Sequence, residues 1–326
     1  MRISVYDENL NRILIIGNHY VSCFWSEGYN TVENFTLELI ATDEYKKKIR
    51  TDCFVGRDDR KTMMVIKTVN ITNGIITASG KQAGRLLDDV SFIGTIKSGS
   101  MLDLAVKEAY NKSEKYPNLE FADTNLQIPY NHQISHKSFL GLCTTMGQSE
   151  DVGFKVINDD GRLLVKFYQP EYNPNFVFAE KYGNLILNSI SMSTENLKNY
   201  AIVLGAGEGE NRKVVRVDAS NGGQRFDLIV DARDLQPEEG ETEAEYEKRL
   251  VSRGAELLLE KTETFACSFE PNENDFGVRY DLGDVLNVYL TDYNIKLQAR
   301  ISKFTQKAQK NKTQTTVFVG KITIKR

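Results

Sequence analysis

The chain has 326 residues, with 41 Lys and Arg against 45 Asp and Glu for a formal charge of −4, and is 40% hydrophobic and 26% charged. That balance argues against a disordered chain, a bundle of membrane-spanning helices and the strongly basic surface of a nucleic-acid binder. A compact chain of this length hides roughly three quarters of its extended surface, and the length itself suggests two domains.

The opening Met1-Arg2-Ile3-Ser4-Val5-Tyr6-Asp7 turns acidic and polar within a few residues. It lacks the basic start, apolar run and cleavage site of a signal peptide. The longest apolar stretches, such as Ile13 to Ile16, are too short to cross a bilayer. These features predict synthesis in the cytoplasm, no export by this route and no membrane insertion.

The first ninety or so residues read as antiparallel β-structure, a small barrel or sandwich. Asn34 to Ala41 alternates, with Phe35, Leu37 and Leu39 on one face and Thr36 and Glu38 on the other. Met64 to Thr72 and Ile75 to Ser79 flank Asn73-Gly74, a dipeptide suited to the positive φ angles of a tight hairpin. Near Ser98 the period changes. Ser100 and Asp103 suggest a capping box, followed by Leu102, Ala105, Val106 and Ala109 at helical spacing. Phe139, Leu142, Cys143 and Met146 repeat that spacing, with Gly147 placed to end the helix. Phe154 to Ile157, the turn Asn158-Asp159-Asp160-Gly161 and Arg162 to Tyr168 then read as a hairpin.

Strands resume at Leu185 to Met192, Tyr200 to Leu204 and Lys213 to Asp218. Thr242 and Glu245 form a good capping box ahead of Tyr246, Leu250, Leu257 and Leu258. Asp284 to Leu290, Ile295 to Lys303 and Thr313 to Ile324 alternate again, with Asp292-Tyr293-Asn294 and Gln306 to Lys312 as the turns. Helices segregated from antiparallel strands define an α+β fold, mainly β.

Candidate chemistry is sparse. Val203-Leu204-Gly205-Ala206-Gly207-Glu208-Gly209 suggests a dinucleotide motif, but its third glycine comes one position early and a strand follows where a helix is needed. A hairpin loop is the better reading. His132 and His136 are four apart, a spacing that on a helix could share a metal, yet no acid or cysteine completes a set and His19 is distant. Polar residues at a helix start explain them better. Cys23, Cys53, Cys143 and Cys267 are scattered singly, which predicts reduced buried thiols. There is no G-x-S-x-G elbow, and nothing singles out a carboxylate pair among the 45 acids. Lys303, Lys307, Lys310 and Lys312 read as a solvated hairpin tip, and Glu238 to Glu247 as a loop running into a helix's first turn. Trp25, with Phe24 and Tyr29, suggests core or interface packing ahead of a sugar platform. The prediction is therefore a non-enzyme with no catalytic, cofactor or metal site and no cofactor.

Three segments carry a resemblance. They are Phe139 to Tyr168, closing on Val165-Lys166-Phe167-Tyr168-Gln169-Pro170; Asn199 to Gly209; and Tyr280-Asp281-Leu282-Gly283-Asp284-Val285-Leu286-Asn287-Val288 with the two long strands after it. In this order the chain resembles the tail hub (tail-associated, tail-tip) proteins of siphophages and prophages, whose fold is similar to the baseplate hub of contractile-tailed phages. The resemblance implies two antiparallel β-barrel domains with α/β insertions. Residues 1–97 would be the first barrel and 98–175 an α/β insertion of helices plus hairpin. Residues 176–225 would complete the first barrel and start the second, 226–268 would be a helical insertion, and 269–326 would supply the remaining strands of the second barrel.

It further implies a virion structural protein: a homotrimeric ring at the tail tip that adapts a six-fold tube to a three-fold spike or fibre. The implied partners are the distal tail ring protein and the spike or fibre, with phage DNA passing through the lumen without specific binding. Some relatives continue into a peptidoglycan-cutting or fibre part. This chain stops at Arg326 after its last strand, so those activities are expected on other chains. The hub portion carries no catalytic residue to transfer. A tail-associated peptidoglycan hydrolase and a carbohydrate-binding receptor module are the alternatives.

Overall fold

The computed structural model describes residues 1–113, 116, 118–130, 134–238, 240–259, 261, 264–271, 276–309 and 312–324. The elements run β1 (Ile3–Tyr6), β2 (Arg12–Gly17), β3 (Ser22–Gly28), β4 (Asn34–Ile40), α1 (Asp43–Lys48), β5 (Phe54–Arg57), β6 (Arg60–Thr72), β7 (Ile75–Gln82) and β8 (Ser91–Ile96). Then follow α2 (Leu102–Asn111), β9 (Leu119–Phe121), β10 (Ile134–Ser138), α3 (Phe139–Ser149), β11 (Gly153–Asp159), β12 (Arg162–Tyr168), β13 (Tyr172–Ala179) and β14 (Leu185–Ser193). The remainder is β15 (Tyr200–Leu204), β16 (Val214–Asp218), β17 (Asp227–Asp231), α4 (Glu243–Leu259), β18 (Thr264–Pro271), β19 (Val285–Leu290), β20 (Ile295–Gln309) and β21 (Lys312–Ile324). The protein is mainly β.

Two compact units result, residues 1–189 with 267–326, and residues 190–266. In the larger unit, β4 follows the predicted alternation. Phe35, Leu37 and Leu39 of β4 are buried beside Trp25, Met64, Ile66, Ile76 and Ala78. Asn73 and Gly74 take φ of 50° and 76° between β6 and β7, the mirror-image turn that matches strand twist. Asp160 and Gly161, at 48° and 84°, do the same between β11 and β12.

A single long strand joins the two β-regions. β20 pairs with β3 from Lys303 to Gln309 and with β19 from Ile295 to Arg300, while β21 runs antiparallel along its length. Register shifts beside Arg300 and between Ile301 and Lys303 bend it between those partners. One curved sheet, in the order β2-β1-β5-β6-β7-β4-β3-β20, covers the core around Trp25. The other, β14-β18-β21-β20-β19-β13, covers Phe178, Phe269, Leu286, Val288, Leu297 and Val317. Among the described residues neither sheet closes into a barrel, and β12–β9 and β13–β19 are parallel pairs, so the expected purely antiparallel barrels are not seen.

The α/β segment packs on β6 and shares the core of Phe54, Leu86, Phe92, Tyr110, Phe121, Phe139, Met146 and Phe167. Here local expectations fail for packing reasons. Asp103 does not join a capping box; it is buried and accepts from Thr124 Oγ1 (2.7 Å) and the Leu126 N–H (3.3 Å), tying down the strap beside α2. Gly147 does not end α3, which continues to Ser149. A Cβ there would lie 2.6 Å from the Val152 carbonyl, so the glycine serves a close approach.

The smaller unit is a three-stranded sheet, β16-β15-β17, with β15–β17 parallel and with Tyr246, Leu250 and Leu258 of α4 packed on Ala201, Val203 and Val230. A boundary at 225/226 falls inside it, between β16 and β17. Thr242 and Glu245 cap α4 reciprocally as their spacing predicts: the Thr242 N–H reaches Glu245 Oε2 (2.9 Å) and the Glu245 N–H reaches Thr242 Oγ1 (3.3 Å).

Candidate functional site

Alternation on β3 turns Trp25 and Glu27 inward together, and both are buried. A carboxylate there needs partners, because desolvation penalises an isolated charge heavily. The Trp25 indole N–H donates to Glu27 Oε1 at 2.7 Å, and Arg60 Nη1 reaches Glu27 Oε2 at 3.3 Å. The Arg60 guanidinium also lies over Phe276 (4.2 Å) and Phe304 (4.8 Å), whose rings stack 4.0 Å apart.

Arg57, 5.3 Å above the Trp25 ring, extends this network. It grips Asp59 with Nε (2.9 Å) and Nη2 (2.6 Å) and donates to Gln306 Oε1 (2.7 Å); Gln306 Nε2 in turn donates to Thr315 Oγ1 (3.1 Å). Burial works against the Asp59 charge, but the Arg57 contacts prevail and hold its carboxyl below the usual range. Gln306 was expected in a turn. It is instead a buried part of β20, which runs to Gln309, and its amide is satisfied on both sides.

Beside this network opens a cleft of about 390 Å³ where both curved sheets meet the α/β segment, lined by Asp59, Arg60, Thr62, Lys155, Tyr168 and Phe276 among others. Its carboxylates are committed: Glu27 to Arg60, Asp59 to Arg57, and Asp281 to Lys155 at 3.4 Å. Tyr168 donates to the Leu282 carbonyl at 2.9 Å, and burial, reinforced by Asp281, pushes its phenol well above the usual range. Arg300 bridges the Gly283 carbonyl (2.8 Å) and Asp151 (2.9 Å). Burial raises the Asp284 carboxyl even though it accepts the Glu171 N–H (2.8 Å) and the Asp281 N–H (2.7 Å). These groups act as counter-ions and backbone clamps. Through these contacts the arrangement fastens three segments together.

The sequence-singled residues lie elsewhere or are already spent. The glycine loop is a hairpin connection between β15 and β16. Its Ala206 N–H donates to Tyr246 Oη (2.7 Å), and Arg212 fills it by donating to the Leu204 and Gly205 carbonyls (2.9 and 3.0 Å). His136 is exposed on β10, a strand and not the expected helix start; His19 is exposed after β2, and His132 lies outside the described residues. Among the described residues no cluster of His, Cys, Asp or Glu could hold a metal. Lys303 pairs with Glu33 at 3.5 Å and covers Phe318, Lys307 and Lys312 are exposed, and Lys310 lies outside the described residues. Trp25 is 0% exposed, which removes it as a sugar platform and places it in the core.

All four cysteines are buried, and burial pushes the thiols up, Cys23 to about 12 and Cys267 to about 11. The folded protein should therefore leave an aromatic disulfide reagent largely unreacted at mildly alkaline pH and consume it only in denaturant; rapid titration of native thiols would contradict the burial described.

Comparison with known proteins gives this architecture a class. Over 98% of this chain, the fold matches the prophage MuSo2 43 kDa tail protein of Shewanella oneidensis (TM-score 0.63, 12% identity, 97% of that chain). It likewise matches the prophage tail protein gp18 of Listeria monocytogenes EGD-e (0.59, 14%, 94% of that chain) and the tail protein of Neisseria meningitidis MC58 (0.59, 14%, 96%). No curated protein matches the chain by sequence. The fold is thus that of phage and prophage tail proteins. The chain belongs to the Siphovirus ReqiPepy6 Gp37-like family, whose model matches residues 2–321.

Proposed function

We propose that this protein is the hub of a siphophage or prophage tail tip, in which three copies close a ring between the six-fold tail tube and a three-fold spike or fibre. The observation that carries this reading is the pair of curved β-sheets sharing β20. Two such β-regions per chain, each taken as a barrel-like unit, give six around a three-fold axis, and six can meet a six-fold tube. The domain scheme follows along the sequence: a β-region at each end of the chain, with the α/β segment and the β15–β17/α4 unit between them in chain order.

The role is mechanical, without catalysis or a cofactor. Residues that would draw a chemist's eye, Glu27, Arg57, Asp59 and Arg60, serve to lock the shared strand in place. The chain is synthesised in the host cytoplasm and carried in the virion, with the distal tail ring protein and the spike or fibre as neighbours. DNA crosses the lumen without sequence-specific contact. A hydrolase has no uncommitted carboxylate pair in the cleft to work with, and a glycan platform has lost Trp25. Electron micrographs of the purified chain should show three-fold rings with a central opening; particles without three-fold symmetry would overturn the reading.

A further inference from the structure

The sequence holds two Asn-Gly dipeptides, Asn73-Gly74 and Asn221-Gly222. In such a pair the asparagine side chain is open to attack by the next amide nitrogen, because glycine has no Cβ to shield it. Both pairs are exposed and take the same left-handed backbone: φ is 50° and 76° at the first, 51° and 79° at the second. These are the central angles of a mirror-image turn, and the attacking nitrogen reaches the side-chain carbon only when the peptide plane between them rotates out of that turn. What holds each turn shut therefore decides its reactivity.

The two turns are held differently. Asn73-Gly74 joins β6 to β7, whose pairing runs up to Thr72 and Ile75 on either side of it. Ile75 also pairs with Ile40 of β4, and the Gly74 carbonyl accepts the Ala41 N–H at 2.8 Å. Asn221-Gly222 lies in the loop from Ala219 to Phe226 between β16 and β17, strands that both pair with β15 and not with each other. The ends of that loop are tied to Asn199. Across the turn itself, among the described residues, one backbone bond runs from the Gly223 N–H to the Ser220 carbonyl at 2.9 Å.

We infer that Asn221 is a site of spontaneous deamidation, and that Asn73, the same dipeptide in the same turn, is protected by its hairpin. The Gly222 nitrogen attacks Asn221 Cγ and gives its proton to solvent, and the Cγ–Nδ2 bond breaks as ammonia leaves. Water then opens the cyclic imide at either carbonyl, to aspartate or to isoaspartate. The sequence of steps consumes only water and turns a neutral amide into a carboxylate. Each copy of a chain with a formal charge of −4 thus becomes more acidic with age.

The test is to hold the folded full chain at mildly alkaline pH beside a sample in denaturant, and to follow both peptides by mass after proteolysis. In the folded chain the Asn221 peptide should gain about 1 Da, with isoaspartate, about tenfold or more faster than the Asn73 peptide, since opening the hairpin sacrifices additional backbone hydrogen bonds. In denaturant the two rates should converge. Equal rates in the folded chain, or Asn73 ahead, would overturn the inference. So would an Asn221 peptide that stays unchanged while its denatured counterpart converts. A gap of the same size in denaturant would overturn the fold as its cause.

Discussion

Replacing Glu27 by alanine should lower the unfolding free energy by about 3–5 kcal/mol, the range for breaking a buried ion pair from one side. The Glu27 side chain is 2% exposed and that of Arg60 13%, so water cannot replace the lost partner cheaply. Two groups are stranded at once: the Arg60 guanidinium over Phe276 and Phe304, and the Trp25 indole N–H. Glu27→Gln should cost less, since an amide oxygen can still accept from the indole. Glu44→Ala, which breaks an exposed i,i+4 pair with Lys48, should fall within about 0.5 kcal/mol of the parent. Urea unfolding followed by circular dichroism orders the three. Equal midpoints for Glu27→Ala and Glu44→Ala would show that the buried network holds nothing.

Phe178→Ala should cost a similar amount, about 3–5 kcal/mol, through a cavity that its neighbours cannot close. Its ring stands 5.0 Å from Phe176 and 5.1 Å from Tyr280, both edge-on, and 4.7 Å from Phe269. Those partners come from β13, β18 and the turn before β19, so the void would sit where three segments of the second sheet converge. Phe24→Ala, on the exposed side of β3, is the comparison and should change stability little. A loss below about 1 kcal/mol for Phe178→Ala would mean the cluster repacks, as loosely specified cores do.

What was legible in the sequence was local. Period-two alternation gave β4, β19, β20 and β21, while Asn73-Gly74, with the runs on either side of it, gave β6 and β7, and Asn73-Gly74 and Asp160-Gly161 gave their turns by the φ angles they tolerate. Thr242 and Glu245 gave the start of α4. The misreadings share one cause: a residue whose role depends on a distant partner resembles a solvated or capping residue in its own neighbourhood. Gln306 resembles turn polarity until Arg57, 249 residues away, accounts for its burial. Asp103 resembles a cap until Thr124 claims it, and Gly147 resembles a helix stop until Asn30 and Val152 crowd it. The pairing of β3 with β20, and the parallel pairs β9–β12 and β13–β19, join segments with no shared local pattern. The fastening network at the cleft, built from those pairings, had no signature to find.

The most direct test of the hub reading is the mass of the purified chain by light scattering across a concentration series. The account predicts a stable species near three times 37.0 kDa, unchanged on dilution through the micromolar range. A strict monomer of 37.0 kDa at every concentration would contradict it.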